Sequence, residues 1–462
     1  MYKLNYFNFK KNNNNYLLTN DIGEYAFMEN EEFKKLVNKG KLKEETQKEL
    51  LEKGFIYETN KELFTENMYL KLRNQKEYLL AATTLHIFVV SKNCNFNCVY
   101  CQAGNLNQKQ DYKMSIETAK RSADIALQAP NKYLSFEFQG GEPLTNFEVI
   151  KYIVEYSKEN ANGKQIDYNV VSNLTLLTDE MIDFFKENNV FICTSIDGNE
   201  ELQNRNRPYK DGNSYRKTVE QIEKLREKGI NVSAIETTTK YSLNKFKEIV
   251  DEYIKLKLNS IFIRPLTKLG KADSNWDRIG YSAEEFLEFY KNALKYIIQK
   301  NKEGTFLVEG HSNIFLKKIL LHQPVNYMEL RSPCGGAIGQ IAYYYDGNIY
   351  TCDEGRMLAE MGNDSFKLGN VYEDTYQNLM KCDCTKAMCV SSCIECLPYC
   401  SSCVYMPYCG TCPVINLAQD DNIFARKPKE FRCQVYGGIL EILFDYIEND
   451  KEVRQIFEKW IS

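Results

Sequence analysis

Three cysteines, Cys94, Cys98 and Cys101, stand in the spacing Cys-x3-Cys-x2-Cys. Thiolates grouped in this way are soft ligands suited to iron–sulfur clusters first and zinc second. Three are one short of the four that close a structural zinc site. A cubane held by three protein thiolates keeps one iron open to a small molecule, so the count itself has chemical meaning. Twelve more cysteines lie between Cys334 and Cys433, and Cys193 stands alone as an expected buried apolar residue. Sixteen cysteines against three histidines (His86, His311, His322) argue against histidine-rich zinc or non-haem iron chemistry. In a reducing compartment such cysteines are metal ligands or catalytic groups and not disulfides.

The elements that must position the three-cysteine loop follow from the hydrophobic pattern. Leu85–Val90, Leu134–Gln139, Ile166–Val171, Val190–Ile196, Val232–Thr237 and Ser260–Arg264 read as strands separated by helical spacing. Strands so separated are parallel with right-handed crossovers, which predicts an α/β fold: an open, partial (β/α)6 barrel. In such sheets chemistry gathers beyond the C-terminal strand ends. The cysteine loop follows the first strand. The second ends in Gln139-Gly140-Gly141-Glu142-Pro143, the third in Ser172-Asn173 and the fourth in Ser195-Ile196-Asp197-Gly198. Glycines there let backbone groups approach a ligand closely.

The 462 residues are 43% hydrophobic and 26% charged, with 59 basic against 63 acidic residues. This is enough for about three domains, and gives no massed basic surface for nucleic acid. No apolar run reaches a membrane span and the first residues lack a signal-peptide pattern, so a cytoplasmic protein is expected. Residues 1–60 read as a winged-helix-like module, strand–strand–helix–helix–strand, with Asn12–Asn15 at a loop tip. Residues 61–84 read as a helical linker, 85–275 as the barrel, 276–333 as a helical connection, 334–436 as a cysteine-rich region and 437–462 as a C-terminal helix with Ile439, Ile442, Leu443 and Tyr446 on one face.

The cysteine triad, Gly-Gly-Glu-Pro at 140–143 and Ser-Ile-Asp-Gly at 195–198 resemble the radical S-adenosylmethionine (SAM) superfamily. The resemblance implies that Cys94, Cys98 and Cys101 hold a [4Fe–4S] cluster that chelates SAM. Reductive cleavage would then give a 5′-deoxyadenosyl radical that abstracts hydrogen from substrate. It implies SAM contacts at Tyr100, Gly140, Gly141, Glu142, Ser172, Asn173, Ser195, Arg207 and Leu266. The spacing Cys334-x12-Gly347-x4-Cys352, then Cys400-x2-Cys403-x5-Cys409-x2-Cys412, then Cys433 resembles the SPASM extension of radical SAM maturases. That implies two auxiliary [4Fe–4S] clusters, three clusters in all. Cys334, Cys352 and Cys412 would hold the first, with Cys393 or Cys396 as fourth ligand. Cys400, Cys403, Cys409 and Cys433 would hold the second. Cys382, Cys384 and Cys389 receive no role, and zinc knuckles remain the alternative for the CxxC pairs.

Four longer stretches, "YLLTNDIGEYAF", "LHIFVVSKNCNFNCVYCQA", "CDEGRMLAEMGNDSFKLGNV" and "YMPYCGTCPV", resemble the maturases of the His-Xaa-Ser peptide system. The implied function is modification of a ribosomally made peptide, by a crosslink or otherwise. The implied partners are a precursor peptide held by the N-terminal module as an added strand, and an electron donor such as flavodoxin or ferredoxin. Asp353, directly after Cys352, matches the proton-accepting aspartate of sulfatase maturases. Oxidation of Ser or Cys to formylglycine is therefore the competing enzymatic reading, and a multi-zinc scaffold the non-enzymatic one.

Overall fold

The strands that the alternating pattern predicts form one continuous mixed sheet, described here from a computed structural model. The structure describes residues 2–12, 15–58, 60–103, 112–424 and 427–462, so the centre of the asparagine run at 12–15 lies outside the described residues. The N-terminal strands are β1 (Lys3–Leu4), β2 (Asn8–Asn12), β3 (Asn15–Thr19), β4 (Tyr25–Glu29) and β5 (Ile56–Tyr57). They form a three-stranded antiparallel sheet in the order β2-β3-β4, and a separate β1–β5 pair. Two short helices, Asn30–Val37 and Glu44–Glu52, stand between β4 and β5. Leu18, Leu36, Leu50, Phe55 and Ile56 make a small core of their own beneath them. The module thus has two strands, β1 and β2, more than the sequence pattern predicts. Both are short and polar (Asn8-Phe-Lys-Lys-Asn12), so hydrophobic alternation does not announce them.

The large sheet starts with β6 (Leu85–Ser91), β7 (Tyr133–Gly140), β8 (Gln165–Val171), β9 (Val190–Ser195), β10 (Val232–Thr237) and β11 (Ser260–Arg264). Neighbouring members pair in parallel register. Their crossover helices start at chemically legible caps. The side chains of Ser115, Thr178 and Asn213 accept backbone N–H bonds at the first turns of Ile116–Leu127, Asp179–Glu187 and Ser214–Glu227. Most of these strands bury alternate residues, for example Leu134, Phe136 and Phe138 of β7, whereas β6 is buried continuously from His86 to Ser91.

The sheet does not stop at six strands. β12 (Val308–Glu309) adds in parallel to β11, and β13 (Gln340–Tyr343) adds in parallel to β6. β14 (Asn348–Tyr350) and β15 (Lys367–Asn370) continue it antiparallel, giving ten strands in the order β12-β11-β10-β9-β8-β7-β6-β13-β14-β15. The cysteine-rich region is therefore an extension of the barrel sheet and not a separate body. Its Leu368, Leu379, Tyr405 and Tyr408 share the core of the barrel residues. A segment poor in apolar runs gains its burial by pairing with an existing edge, which also covers that edge. The C-terminus forms two helices, Phe431–Asn449 and Lys451–Ile461, where the sequence pattern suggests one. Asp450 breaks them by capping the second, its carboxylate accepting from Glu452 N and Val453 N. No helix among the described residues is long and apolar enough to cross a membrane.

Candidate functional site

The loop carrying Cys94, Cys98 and Cys101 is pinned on three sides. On the first, the end of β7 crosses beneath it: Gly141 N donates to Ser91 O (2.8 Å) and Glu142 N to Asn93 O (2.7 Å). The glycines are required by this crossing. A Cβ at Gly140 would stand 2.0 Å from Ser91 O, and one at Gly141 2.5 Å from Lys92 O. On the second, Asn97 N and Val99 N donate to Pro208 O and Asn206 O (2.8 and 2.9 Å), which brings in the segment carrying Arg207. On the third, Lys271 N donates to Cys101 O (2.9 Å) and Asn275 Nδ2 to Val99 O (2.8 Å). Because the obstacle at Gly140 is backbone, Gly140→Ala is expected to lower stability by about 1–3 kcal/mol and displace the loop. Thermal unfolding of the two proteins checks this.

The three thiols open on one cavity whose wall is the C-terminal rim of the sheet. Gly140, Gly141, Ser172, Asn173, Ser195 and Leu266 line it, as do Tyr100 and Arg207. The sequence reading thus has eight of its nine proposed ligand contacts on one wall. Further lining residues include Gln139, Thr237, Arg264 and Met357, of which Gln139 alone belongs to a motif singled out in the sequence. Among them Gln139, Thr237 and Arg264 follow from the pleat, since each is at or next to the last residue of its strand on the open face.

Within this wall Asp197 is the organiser. Its carboxylate is fully buried. Oδ2 accepts from the Tyr100 hydroxyl (2.6 Å), and Oδ1 from Arg207 Nε (3.1 Å) and Thr237 N (3.3 Å). The Arg207 guanidinium lies 5.2 Å from the centre of the Tyr100 ring, a cation–π distance. Gln203, which no motif flags, holds the turn itself: its Oε1 accepts from Asp197 N (2.7 Å) and its Nε2 donates to Ser195 O (3.0 Å). Tyr100 and Arg207 therefore face the cavity as members of a buried ion network.

Glu142 is placed differently from the other expected contacts and is not part of the lining. Its carboxylate accepts from Ser172 Oγ (2.7 Å), Asn173 N (2.8 Å) and Leu144 N (3.0 Å), tying the ends of β7 and β8 together. Burial pushes its pKa up to about 7 from 4.5. The folded protein thus holds this proton more tightly than the unfolded chain does. The stabilisation is complete below pH 4.5 and is lost as pH rises through about 7. Glu142→Gln is expected to flatten that decline in urea unfolding midpoints. Asn173 also reaches the cysteine loop, with Nδ2 2.9 Å from Asn95 Oδ1 and 4.0 Å from Cys94 Sγ.

Burial raises the thiol pKa of Cys94, and of Cys98 to about 12. Left to themselves these groups are neutral, and a bound cation is what deprotonates such a thiol. Among the described residues no three Cys, His, Asp or Glu side chains converge as the ligands of a single metal ion. A mononuclear zinc site needs thiolates about 2.3 Å from one centre. Three thiols opening on one cavity, one short of a closed structural zinc site, fit an iron–sulfur cluster that keeps one iron open to a ligand.

The C-terminal cysteines form two groups. Cys334, Cys352 and Cys412 are buried in one apolar cluster with Leu269 and Met388, and Cys384 packs against it. Cys352 caps the helix Asp353–Glu360, its Sγ accepting from Gly355 N (3.3 Å). Cys400, Cys403 and Cys409 surround Ile394, Leu397 and Met406. Cys433, in the first turn of Phe431–Asn449, joins this second group through the charge of Lys427, which lowers the pKa of Cys400, Cys409 and Cys433 against the larger effect of burial. Cys393 and Cys396 lie on a segment bound to that of Cys334: Cys334 N donates to Ser392 Oγ (2.9 Å) and Ile394 N to Ser332 Oγ (3.1 Å). Their sulfurs are 3.9 Å from each other, and Cys393 donates to Glu395, which is bound to Ser332 and Lys76. Asp353 is in an ion pair with the buried Arg356, and the helix it begins contributes Met357, not Asp353, to the cavity wall. Cys193 lies on β9 and is partly buried; burial raises its pKa to about 11.

Comparison with known proteins agrees with this geometry. Residues 88–254 match the model of the Radical SAM superfamily. The chain is 27% identical over 363 residues to the radical SAM cyclopropyl synthase TigE of Paramaledivibacter caminithermalis, covering 73% of this chain and 69% of that one. Serine- and cysteine-type anaerobic sulfatase-maturating enzymes are also among its relatives. In fold it resembles anSMEcpe with bound S-adenosylmethionine, at 20% identity and TM-score 0.67 over 82% of this chain and 99% of that one. It also resembles SuiB of Streptococcus suis bound to its precursor peptide SuiA, at 15% identity and TM-score 0.56 over 94% and 99% of the two chains. Residues 88–254, with the three-cysteine loop near their start and the cavity at their strand ends, are thus the part of the chain that matches the Radical SAM superfamily.

Proposed function

We propose that the protein is a radical SAM maturase of a ribosomally made peptide, of the kind found in His-Xaa-Ser systems. The observation that carries this reading is the cavity at the strand ends, into which Cys94, Cys98, Cys101 and the Asp197 network open together. A [4Fe–4S] cluster on the three thiolates, with SAM bound, supplies one-electron cleavage of the sulfonium and a hydrogen-abstracting radical. The chain's own part is to position and exclude. Gly140 and Gly141 set the loop, Ser195 and Asn173 offer polar groups to a charged ligand, and Leu266 closes the apolar side. Arg207 supplies the cation that a carboxylate would meet. Flavodoxin or ferredoxin would deliver the electron.

The two C-terminal cysteine groups would each hold an auxiliary [4Fe–4S] cluster. Cys400, Cys403, Cys409 and Cys433 are one complete set, with the buried Lys427 ammonium as countercharge. Cys334, Cys352 and Cys412 are the other, with a fourth ligand from Cys393 or Cys396, or from Cys384, which packs against their cluster. The N-terminal sheet is the candidate dock for the precursor peptide, with β2 as its edge strand. Support comes from TigE as a relative and from the fold shared with peptide-bound SuiB. Anaerobic purification tests the proposal: a brown protein with about twelve irons per chain is expected, whereas a colourless zinc-loaded protein refutes it.

Formylglycine formation is the second reading, favoured by Asp353 and by the sulfatase-maturating relatives. Asp353 would act there only by leaving its ion pair with Arg356. An Asp353→Asn protein that keeps full turnover removes this reading.

A further inference from the structure

We propose that the N-terminal module completes the second auxiliary cluster site, with Asn8 as the residue that positions Cys403; this rests on Cys400, Cys403, Cys409 and Cys433 holding a cluster. Asn8 opens β2 and is only 6% exposed although it is polar and remote in sequence from the cysteines. Its Nδ2 donates to two carbonyls of the cysteine loop, Ser401 O and Cys403 O, both at 3.1 Å. The single Tyr6 hydroxyl proton is shared between Asn8 Oδ1 (3.1 Å) and Ser401 O (3.0 Å). The residue directly opposite Asn8 in the antiparallel register is Thr19 on β3. Thr19 is fully buried, and its hydroxyl donates to Val404 O (2.6 Å).

One cross-strand pair of the N-terminal sheet thus grips the carbonyls of residues 401, 403 and 404. That stretch has no regular secondary structure and lies between the thiols of Cys400 and Cys409. Cys403 Sγ in turn accepts from Tyr405 N (3.4 Å), so its direction depends on where this backbone is held. Hydrogen bonds one step removed from a metal ligand orient it, and losing them commonly costs 10–100-fold in metal affinity. The contact is specific to the cysteine loop, because the module also docks on the C-terminal helix by bonds that do not touch it. Asn15 Nδ2 to Glu448 Oε1 (2.6 Å) is such a bond.

The test compares iron release to a chelator, and the electron paramagnetic resonance spectrum, in the reconstituted full-length protein and three variants. Asn8→Leu and Thr19→Val, which remove donors at nearly constant volume, should each release about four of twelve irons at least about ten times faster. They should also alter the signal of one cluster, the one that Cys403→Ala removes. Asn15→Ala, which loosens docking elsewhere, should release iron at the wild-type rate. Wild-type release rates and spectra in both Asn8→Leu and Thr19→Val overturn the proposal, and so does equal acceleration in all three variants. A wild-type protein holding only about four irons overturns the auxiliary cluster reading itself, before any variant is compared.

Discussion

Cys94→Ala is expected to reduce 5′-deoxyadenosine formation from SAM to the buffer background. The reason is the way the loop is held. Backbone bonds to Ser91 and Asn93, to Asn206 and Pro208, and from Lys271 fix the cysteine segment on three sides. The loop therefore has no freedom to offer another group where Cys94 stood. Nor does a further thiol stand ready to replace it, because among the described residues Cys94, Cys98 and Cys101 are the cysteines that line this cavity. Two thiolates cannot retain the cluster, so iron should fall by about four per chain while the iron proposed for the C-terminal cysteine groups stays. Anaerobic reconstitution, reduction with dithionite and chromatography of the nucleoside products check both halves. Undiminished deoxyadenosine in the variant would refute the site.

Arg207→Met is expected to destabilise the domain by about 3–5 kcal/mol, because it strands a buried carboxylate. Asp197 is fully buried, and the Arg207 guanidinium is the charge that the structure pairs with it. The remaining donors, the Tyr100 hydroxyl and Thr237 N, are neutral and cannot balance an ionised group in so dry a place. Adding Asp197→Asn to the variant should recover part of the loss, since the stranded charge is then gone; strong non-additivity in urea unfolding is the signature. Failure of the double variant to recover anything would show that Arg207 acts through packing alone. The same substitution should weaken SAM binding, as Arg207 lines the cavity.

Features carried by near neighbours in the chain were legible. The Cys-x3-Cys-x2-Cys loop, the six alternating strands and the small residues at their ends are local patterns. Parallel topology then brings those ends to one rim. Even so, the local pattern left some tasks unread. Gly140 and Gly141 line the cavity as their motif suggests, and their missing Cβ atoms also make room for Ser91 and Lys92. Glu142 shares their motif, but its carboxylate accepts three bonds from two strand ends and is not among the cavity lining. Gln203 carries no signal at all, because an amide that braces a turn leaves no spacing to recognise.

The sequence by itself determined the chemistry available: three thiolates at one strand end, a glycine pair at the next, and soft ligands in excess of any need for packing. Tertiary structure alone decided how these are shared out. It extended the sheet to ten strands by lending β13 to β15 to the barrel edge. It gathered Cys334, Cys352 and Cys412 into one buried cluster, and placed Asn8 on a loop some 393 residues away. Spacing constrains only residues that one short segment holds together. Contacts between distant segments are chosen by the burial and hydrogen bonding of the whole chain, and no short-range pattern encodes them.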